Sequence, residues 1–270
     1  MTDVLKKSKI LNCNGRLISL DTPQVMGIVN VTPDSFYSPS RCNTENEIVE
    51  MTKRHLAEGA TFIDLGAYST RPGCSPVSES EEIRRLDFAL GVITENFPEA
   101  VISVDTFRSL AAHFAVKNYG VSIINDISGG LADEKIFDVA AETGACYVLT
   151  HNTSEDIVRF FVSQCERLRN AGVKDIILDP GFGFTKTLDD NYTFMRDLEN
   201  LKVFEMPVLV GISRKSMIYK FLGITPEESV NGTTVLNTIA LNKGADILRV
   251  HDVKQAVEAV KICGKSGFIG

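Results

Sequence analysis

Eight short apolar runs recur along the chain, each ending on a polar or glycine-bearing loop and leading into a helical pattern. They lie at residues 25–29, 62–65, 101–104, 122–124, 146–149, 175–178, 207–210 and 247–250. Their near-continuous Val/Ile/Leu content is that of parallel strands buried on both faces. The segments between them carry helix start and stop signals. Ser78 and Glu81 have capping-box spacing ahead of Ile83, Leu86 and Leu90. Asp156 opens a pattern of Ile157, Phe160, Phe161 and Leu168 that stops near Gly172. Glu228 opens another, carrying Val230, Leu236, Ile239 and Leu241 before Gly244. Eight strand–helix units predict an α/β fold, a single (β/α)8 TIM barrel with its active site at the C-terminal ends of the strands. Residues 1–270 read as one domain, with 1–24 as a lead-in. The alternative, a doubly wound open sheet, lacks a GxGxxG after the first run.

Composition removes several other classes. The 270 residues are 44% hydrophobic and 23% charged, enough apolar material for one large core. A net charge of −7 gives no footprint for nucleic-acid binding. The cysteines at 13, 42, 74, 146, 165 and 263 are irregularly spaced, without a CxxC pair, which argues against structural zinc and against a disulfide scaffold. No signal-peptide pattern opens the chain, and no run approaches the ~18 apolar residues that span a bilayer. The expectation is a soluble, cytoplasmic protein with no membrane partner.

In a barrel of this kind chemistry is built where the strands end. Those ends are Asn30, residues 66–71, Asp105, Asn125-Asp126, Thr150-His151, Asp179, Ser213-Arg214-Lys215 and Arg249-Val250-His251. Any one polar end could simply meet solvent or cap the next helix; it is their convergence on one mouth that points to a site. Thr70-Arg71-Pro72-Gly73 and Ser213-Arg214-Lys215-Ser216 supply anion-binding candidates, and the second of these opens a helix. Arg249 and His251 are two apart and share one side of an extended chain. Arg71 could be a solvated loop arginine, whereas Arg249, inside the apolar run ILRV, needs an anionic partner. Asp105, Asn125 and Asp179 each follow an apolar strand directly. Carboxylates so placed suit a flat heterocycle that presents an N–H/NH2 edge. Asp64, inside its strand, reads as structural.

Seven segments, MGIVNVTPDSF (26–36), STRPG (69–73), ISVDT (102–106), IINDISGG (123–130), LDPGFGF (178–184), VGISRKS (210–216) and ILRVHDV (247–253), together resemble the dihydropteroate synthase family, in family order. The resemblance implies an enzyme that joins a dihydropterin diphosphate to 4-aminobenzoate, giving 7,8-dihydropteroate and diphosphate. Asp105, Asn125, Asp179 and Lys215 then resemble the pterin pocket. Asn30, Thr70, Arg71, Arg249 and His251 resemble the diphosphate site, with Asn30 beside a Mg2+ ion. Phe36, Pro72, Phe184, Lys215 and Ser216 resemble the 4-aminobenzoate pocket. Lys215, Arg249, His251 and Arg71 would be the catalytic set. The resemblance further implies a dissociative reaction through a pterin cation, and a homodimer. Two loops depart from the family: Tyr37-Ser38-Pro39-Ser40-Arg41 replaces SDGG, and Gly66-Ala67-Tyr68-Ser69-Thr70 replaces GGEST. A pterin-dependent methyltransferase would share the pterin residues but has no need of the TRPG, SRKS and RVH anion set. A non-catalytic pterin-binding protein is the other rival, supported by the altered first loop.

Overall fold

The computed structural model describes residues 9–31, 44–68, 77–267 and 269. A hairpin of β1 (Ile10–Cys13) and β2 (Arg16–Ser19) precedes eight strands: β3 (Gln24–Asn30), β4 (Phe62–Gly66), β5 (Val101–Asp105), β6 (Ile123–Asp126), β7 (Cys146–Thr150), β8 (Ile176–Asp179), β9 (Leu209–Val210) and β10 (Ile247–Val250). The helices are α1 (Glu45–Glu58), α2 (Glu79–Asn96), α3 (Ser109–Tyr119), α4 (Ile136–Thr143), α5 (Ile157–Ala171), α6 (Leu188–Arg196), α7 (Ser216–Leu222), α8 (Val230–Lys243) and α9 (Val253–Lys265). The eight strands run in the order β8-β7-β6-β5-β4-β3-β10-β9, and every pair is parallel. A parallel bridge between Leu178 and Val208 joins the two ends, with Leu178 N–H donating to the Pro207 carbonyl at 2.8 Å. The sheet is therefore a (β/α)8 barrel, as the eight apolar runs predicted.

Side chains alternate across each strand, so the interior is built in layers two residues apart. The lowest layer is apolar: Met26, Phe62, Val101, Ile123, Cys146 and Ile247 cluster with Leu11, Cys13, Ile18 and Leu20 of the hairpin segment. The outward set, including Val25, Ile63, Ile102, Ile124, Tyr147 and Leu248, packs under the helices. The segment expected as a lead-in thus closes the barrel floor. Asn14 and Gly15, both at positive φ, make its turn, and Gly15 N–H donates to Asn12 Oδ1 at 2.7 Å. Asn-Gly between alternating apolar residues is a hairpin signal, and it stands in the sequence as Leu11, Cys13, Asn14-Gly15, Ile18 and Leu20.

Local signals act where the sequence placed them. Ser78 Oγ accepts from Glu81 N–H at the start of α2. Asp156 accepts from the N–H groups of Val158 and Arg159, and α5 ends on the left-handed Gly172. The helix expected from Glu228 begins as a 3-10 turn over Glu227–Ser229 and becomes α-helical at Val230. Among the described residues no helix is long and apolar enough to cross a membrane.

Candidate active site in the barrel mouth

Above the apolar floor the same strand faces turn polar. Phe62 is followed two residues later by Asp64, Ile123 by Asn125, and Ile247 by Arg249. Arg249 pairs in register with Met26, well below the mouth, and its long side chain climbs through the interior. Its Nε donates to Asp64 Oδ2 and its Nη2 to Asp105 Oδ2, each at 2.6 Å. Asn125 Nδ2 donates to the same Asp64 oxygen at 3.1 Å. The anionic partner that Arg249 required is thus a pair of carboxylates from β4 and β5. Burial pushes the Asp105 carboxyl up to about 7, opposed by Arg249 and reinforced by Asp64 and Glu82. Asp64 is fully buried, and its other oxygen, Oδ1, has no hydrogen-bond partner among the described residues. An unsatisfied buried acceptor is costly, and a ligand N–H would satisfy it. Asp64 is therefore a candidate site residue that the sequence alone, which reads it as structural, does not single out. The signal that finds it is parity: it lies on the inward face with Phe62 and Gly66, level in register with Ser103.

A second acidic centre stands at the end of β8. Asp179 Oδ1 accepts from Gly181 N–H at 2.7 Å, and burial raises its pKa against the pull of Lys215. The loop that follows can take this path only with glycine. Gly181 has φ +69°, and a β-carbon there would lie 2.1 Å from the His151 carbonyl oxygen. Lys215 reaches across to donate to the Phe182 carbonyl at 2.5 Å, with its ammonium 4.4 Å from the Phe184 ring centroid. Burial lowers Lys215 to about 8, against the stabilising charge of Asp179. Asp105, Asn125, Asp179, Lys215, Phe184 and Arg249 are thus gathered at one end of the barrel.

The anion-binding candidates divide. Asn30 lies at the rim, where a β-carbon on Gly66 would come within 2.9 Å of its Oδ1. His251 Nδ1 is 3.0 Å from Ser213 Oγ, and His251 N–H donates to that oxygen at 3.2 Å. Burial, then the charge of Arg249, pushes His251 down to about 3, so its ring is neutral at pH 7. Ser216 begins α7, the additional short helix between β9 and β10. Arg214, read with the anion set, does not serve there. Its guanidinium makes a two-point ion pair with Asp252 at 2.7 and 2.9 Å and donates to the Pro226 and Glu227 carbonyls. Two other strand ends also turn away from the mouth. His151 is buried beside Phe160, Phe161 and Phe194, with Nε2 2.8 Å from the Glu155 carbonyl. Asp126 accepts from Ser128 N–H, Gly130 N–H and the Tyr147 hydroxyl. Phe36, Thr70, Arg71 and Pro72, together with the altered 37–41 loop, lie outside the described residues.

Buried carboxylates, an amide and two cations gathered at the C-terminal end of a closed barrel define a class, and comparison with known proteins agrees with it. The model of the pterin binding enzyme family matches residues 26–251. Dihydropteroate synthase of Escherichia coli K12 is 38% identical over 269 residues, covering 93% of this chain and 94% of that protein. The Bacillus subtilis dihydropteroate synthase is 42% identical over 248 residues, covering 88% and 86%. Among solved structures, the Yersinia pestis dihydropteroate synthase in a sulfonamide drug complex superposes with a TM-score of 0.89 at 39% identity, covering 96% of this chain and 98% of that one. The Xanthomonas albilineans dihydropteroate synthase with 4-aminobenzoic acid gives 0.87 at 36% identity, covering 97% and 99%. The chain belongs to the pterin-binding enzyme family, within its dihydropteroate synthase branch. Its activity is that branch's, a transferase reaction of folate biosynthesis.

Proposed function

We propose that this mouth binds the dihydropterin through Asp64, Asp105, Asn125, Asp179 and Lys215, and catalyses its transfer from diphosphate to 4-aminobenzoate. The observation that carries the assignment is the orphaned Asp64 Oδ1 beside Asn125 and Asp105. That acceptor edge matches the donor edge of an aminopyrimidinone ring. Asp179 and Lys215 would hold the ring from the β8 and β9 side.

In the reaction the C–O bond between the pterin methylene and the diphosphate breaks, and its electron pair leaves with the diphosphate. The arylamine nitrogen then bonds to the methylene carbon and loses a proton. The amine is neutral and nucleophilic at pH 7, so no strong base is required. Arg249 would stabilise the growing charge on the leaving group, exchanging a carboxylate partner for the anion. His251, neutral in its setting, would act as an N–H donor rather than as a cation. Thr70 and Arg71 would complete the diphosphate site. Phe36, Pro72, Phe184 and Ser216 would enclose the aminobenzoate, its carboxylate near Ser216.

Among the described residues no group of three or more His, Cys, Asp or Glu could hold a metal. Mg2+ at phosphoryl sites commonly keeps waters and takes only one or two protein oxygens besides the substrate's. The amide of Asn30, given room by Gly66, fits that mode. When bound, the ion supplies charge neutralisation at the leaving diphosphate.

A homodimer through α7 and α8 is also proposed. Phe221 (63% exposed) and Leu222 (50%) on α7, and Val235 (51%) and Ile239 (38%) on α8, are apolar side chains left facing solvent on two helices that touch. A cytoplasmic setting accords with the buried free thiols of Cys13, Cys146, Cys165 and Cys263. The decisive experiment mixes dihydropterin diphosphate, 4-aminobenzoate and Mg2+ and follows diphosphate release. Release that requires both substrates is expected. Pterin binding without release would overturn the catalytic reading in favour of a binding protein.

A further inference from the structure

Two of the side chains assigned to ligand, Lys215 and Ser216, follow the shortest strand of the barrel. That strand, β9, pairs with β10 at only two positions, Leu209 with Ile247 and Val210 with Leu248. The ladder stops at Val210, so no sheet bond reaches the two residues beyond it. Side-chain bonds to neighbouring elements take over. Ser213 Oγ accepts from the His251 N–H at 3.2 Å, and Arg214 makes the wider set. Its Nε and Nη2 donate to the two oxygens of Asp252, the residue after His251, at 2.9 and 2.7 Å. Its Nη1 donates to the Pro226 and Glu227 carbonyls at 3.1 and 2.9 Å. Its backbone N–H donates to Thr233 Oγ1 of α8 at 3.1 Å. One residue thus ties the turn after β9 to α8, to the connection between α7 and α8, and to the start of α9.

Two observations set this group apart from an ordinary buried ion pair. Arg214 has φ +55°, a left-handed conformation that costs energy for any side chain but glycine's. Such strain persists where the surroundings over-determine it, and it gathers at functional sites. The Asp252 carboxylate stands at the N-cap of α9 yet makes no capping bond; both its oxygens bind Arg214. Stability alone does not account for this arrangement, because a buried ion pair roughly offsets its own desolvation. What a planar, forked cation supplies is fixed geometry, which lysine as a point charge cannot reproduce. The geometry so fixed passes to the next residue, Lys215, whose ammonium turns back to the Phe182 carbonyl and the Phe184 ring.

We propose that Arg214 is a positioning residue that clamps the turn after β9 to Asp252, and so holds Lys215 and Ser216 in the mouth against 4-aminobenzoate. The inference rests on the reading above, in which those two residues meet that ligand.

Arg214→Lys keeps the charge and loses the fork. Asp252→Asn keeps Arg214 with its carbonyl bonds and removes the charged partner, and it takes over if Arg214→Lys does not fold. The first measurement needs no ligand: NMR titration of the Lys215 ammonium, with thermal unfolding alongside. In the unchanged protein Lys215 should titrate at about 8, lowered by burial. The charges that weigh on it are those of Asp179, Arg249, Lys186 and Asp105. Neither variant alters any of these, so a moved titration reports position. A loosened Lys215 should titrate closer to the ordinary lysine value of 10.5. The second measurement is steady-state diphosphate release. Loss of a bond from a charged donor corresponds to about a tenfold change or more, so the KM for 4-aminobenzoate should rise about tenfold. Affinity for a pterin lacking diphosphate should change less, since Asp64, Asp105, Asn125 and Asp179 are held by their own strands. A lowered Tm with Lys215 still titrating at about 8 would make the pair merely structural and overturn the role. So would an unchanged KM beside a moved titration. If the unchanged protein itself releases no diphosphate, the functional reading fails, and the ligand-free titration alone decides whether Arg214 positions Lys215.

Discussion

The two ends of the barrel interior are made from the same strands and differ in almost everything else. At the floor, Phe62, Val101, Ile123 and Ile247 meet the hairpin's Leu11 and Ile18 in a packed apolar layer. Two residues further along three of these strands, Asp64, Asn125 and Arg249 form a charged, hydrogen-bonded layer with an orphaned oxygen. The floor lowers the free energy of the fold by removing apolar surface from water. The mouth places like-charged carboxylates together and balances them with one guanidinium, an arrangement that costs stability and prepares a binding site. A residue's distance along the strand decides which of these it serves.

The largest expected effects test that division directly. Arg249→Ala would leave Asp64 and Asp105 buried without their counterion, a loss of about 3–5 kcal/mol. Leu11→Ala would open a cavity under the floor at a similar cost, about 2–5 kcal/mol. Urea unfolding should therefore rank the two variants close together. Turnover of the folded protein should collapse only in Arg249→Ala. The pH dependence should separate them too: the Arg249→Ala deficit should shrink as pH falls and the stranded Asp105 carboxyl, already pushed up to about 7 by burial, takes up a proton. An active Arg249→Ala, or a Leu11→Ala that stays folded and loses turnover, would break the division between floor and mouth.

A smaller effect concerns Lys215, whose pKa is held down at about 8 by burial. Between about 8 and the ordinary lysine value of 10.5 the unfolded chain binds the proton that the folded protein has lost. Stability attributable to this group therefore rises with pH across that window. Ligand binding should move the opposite way, because neutral Lys215 no longer attracts the carboxylate of 4-aminobenzoate, which stays ionised throughout. Affinity for 4-aminobenzoate should fall as pH passes through about 8, and Lys215→Met should flatten both profiles. Parallel rather than opposed profiles would show that Lys215 does not face the anionic ligand.

The same contrast explains how much could be read from the sequence. The eight strands were legible because burial on both faces forces unbroken Val/Ile/Leu runs, as in ILRV and CYVL. Asp105, Asn125 and Asp179 were legible because each ends such a run. Asp64 and Arg249 lie within their runs, and only Arg249 announced itself, since an arginine there demands a partner. Asp64 needed the inside–outside parity of a closed barrel, which a strand read singly does not provide. Arg214 misled because SRKS is a cluster in sequence but divides in space, Lys215 reaching the mouth and Arg214 reaching Asp252. Arg214 has φ +55°, and such a backbone turn sends neighbouring side chains to different sides. The floor hairpin carried its own signal in Asn14-Gly15, one that the barrel pattern starting at residue 25 does not contain.

The smallest expected effect isolates position from strain, using two glycines with nearly the same backbone. Gly15 in the floor hairpin has φ +84°, and a β-carbon there would meet nothing within 4 Å. Gly183 in the mouth has φ +81°, and a β-carbon there would lie 2.9 Å from Lys215 Cδ. Alanine in the left-handed region costs roughly 1–2 kcal/mol wherever it occurs. Gly15→Ala and Gly183→Ala should therefore lose similar stability, and subtracting one from the other cancels the backbone cost. What remains is the displacement of Lys215, a flexible side chain that can yield by a few tenths of an ångström. That movement would shift its ammonium from the Phe182 carbonyl and the Phe184 ring. Pterin and 4-aminobenzoate affinities should fall severalfold in Gly183→Ala and stay unchanged in Gly15→Ala. Equal affinities in the two variants, at equal stability, would mean that Lys215 need not be held in place by its neighbours. The mouth would then owe its ligand geometry to the rigid strand ends alone.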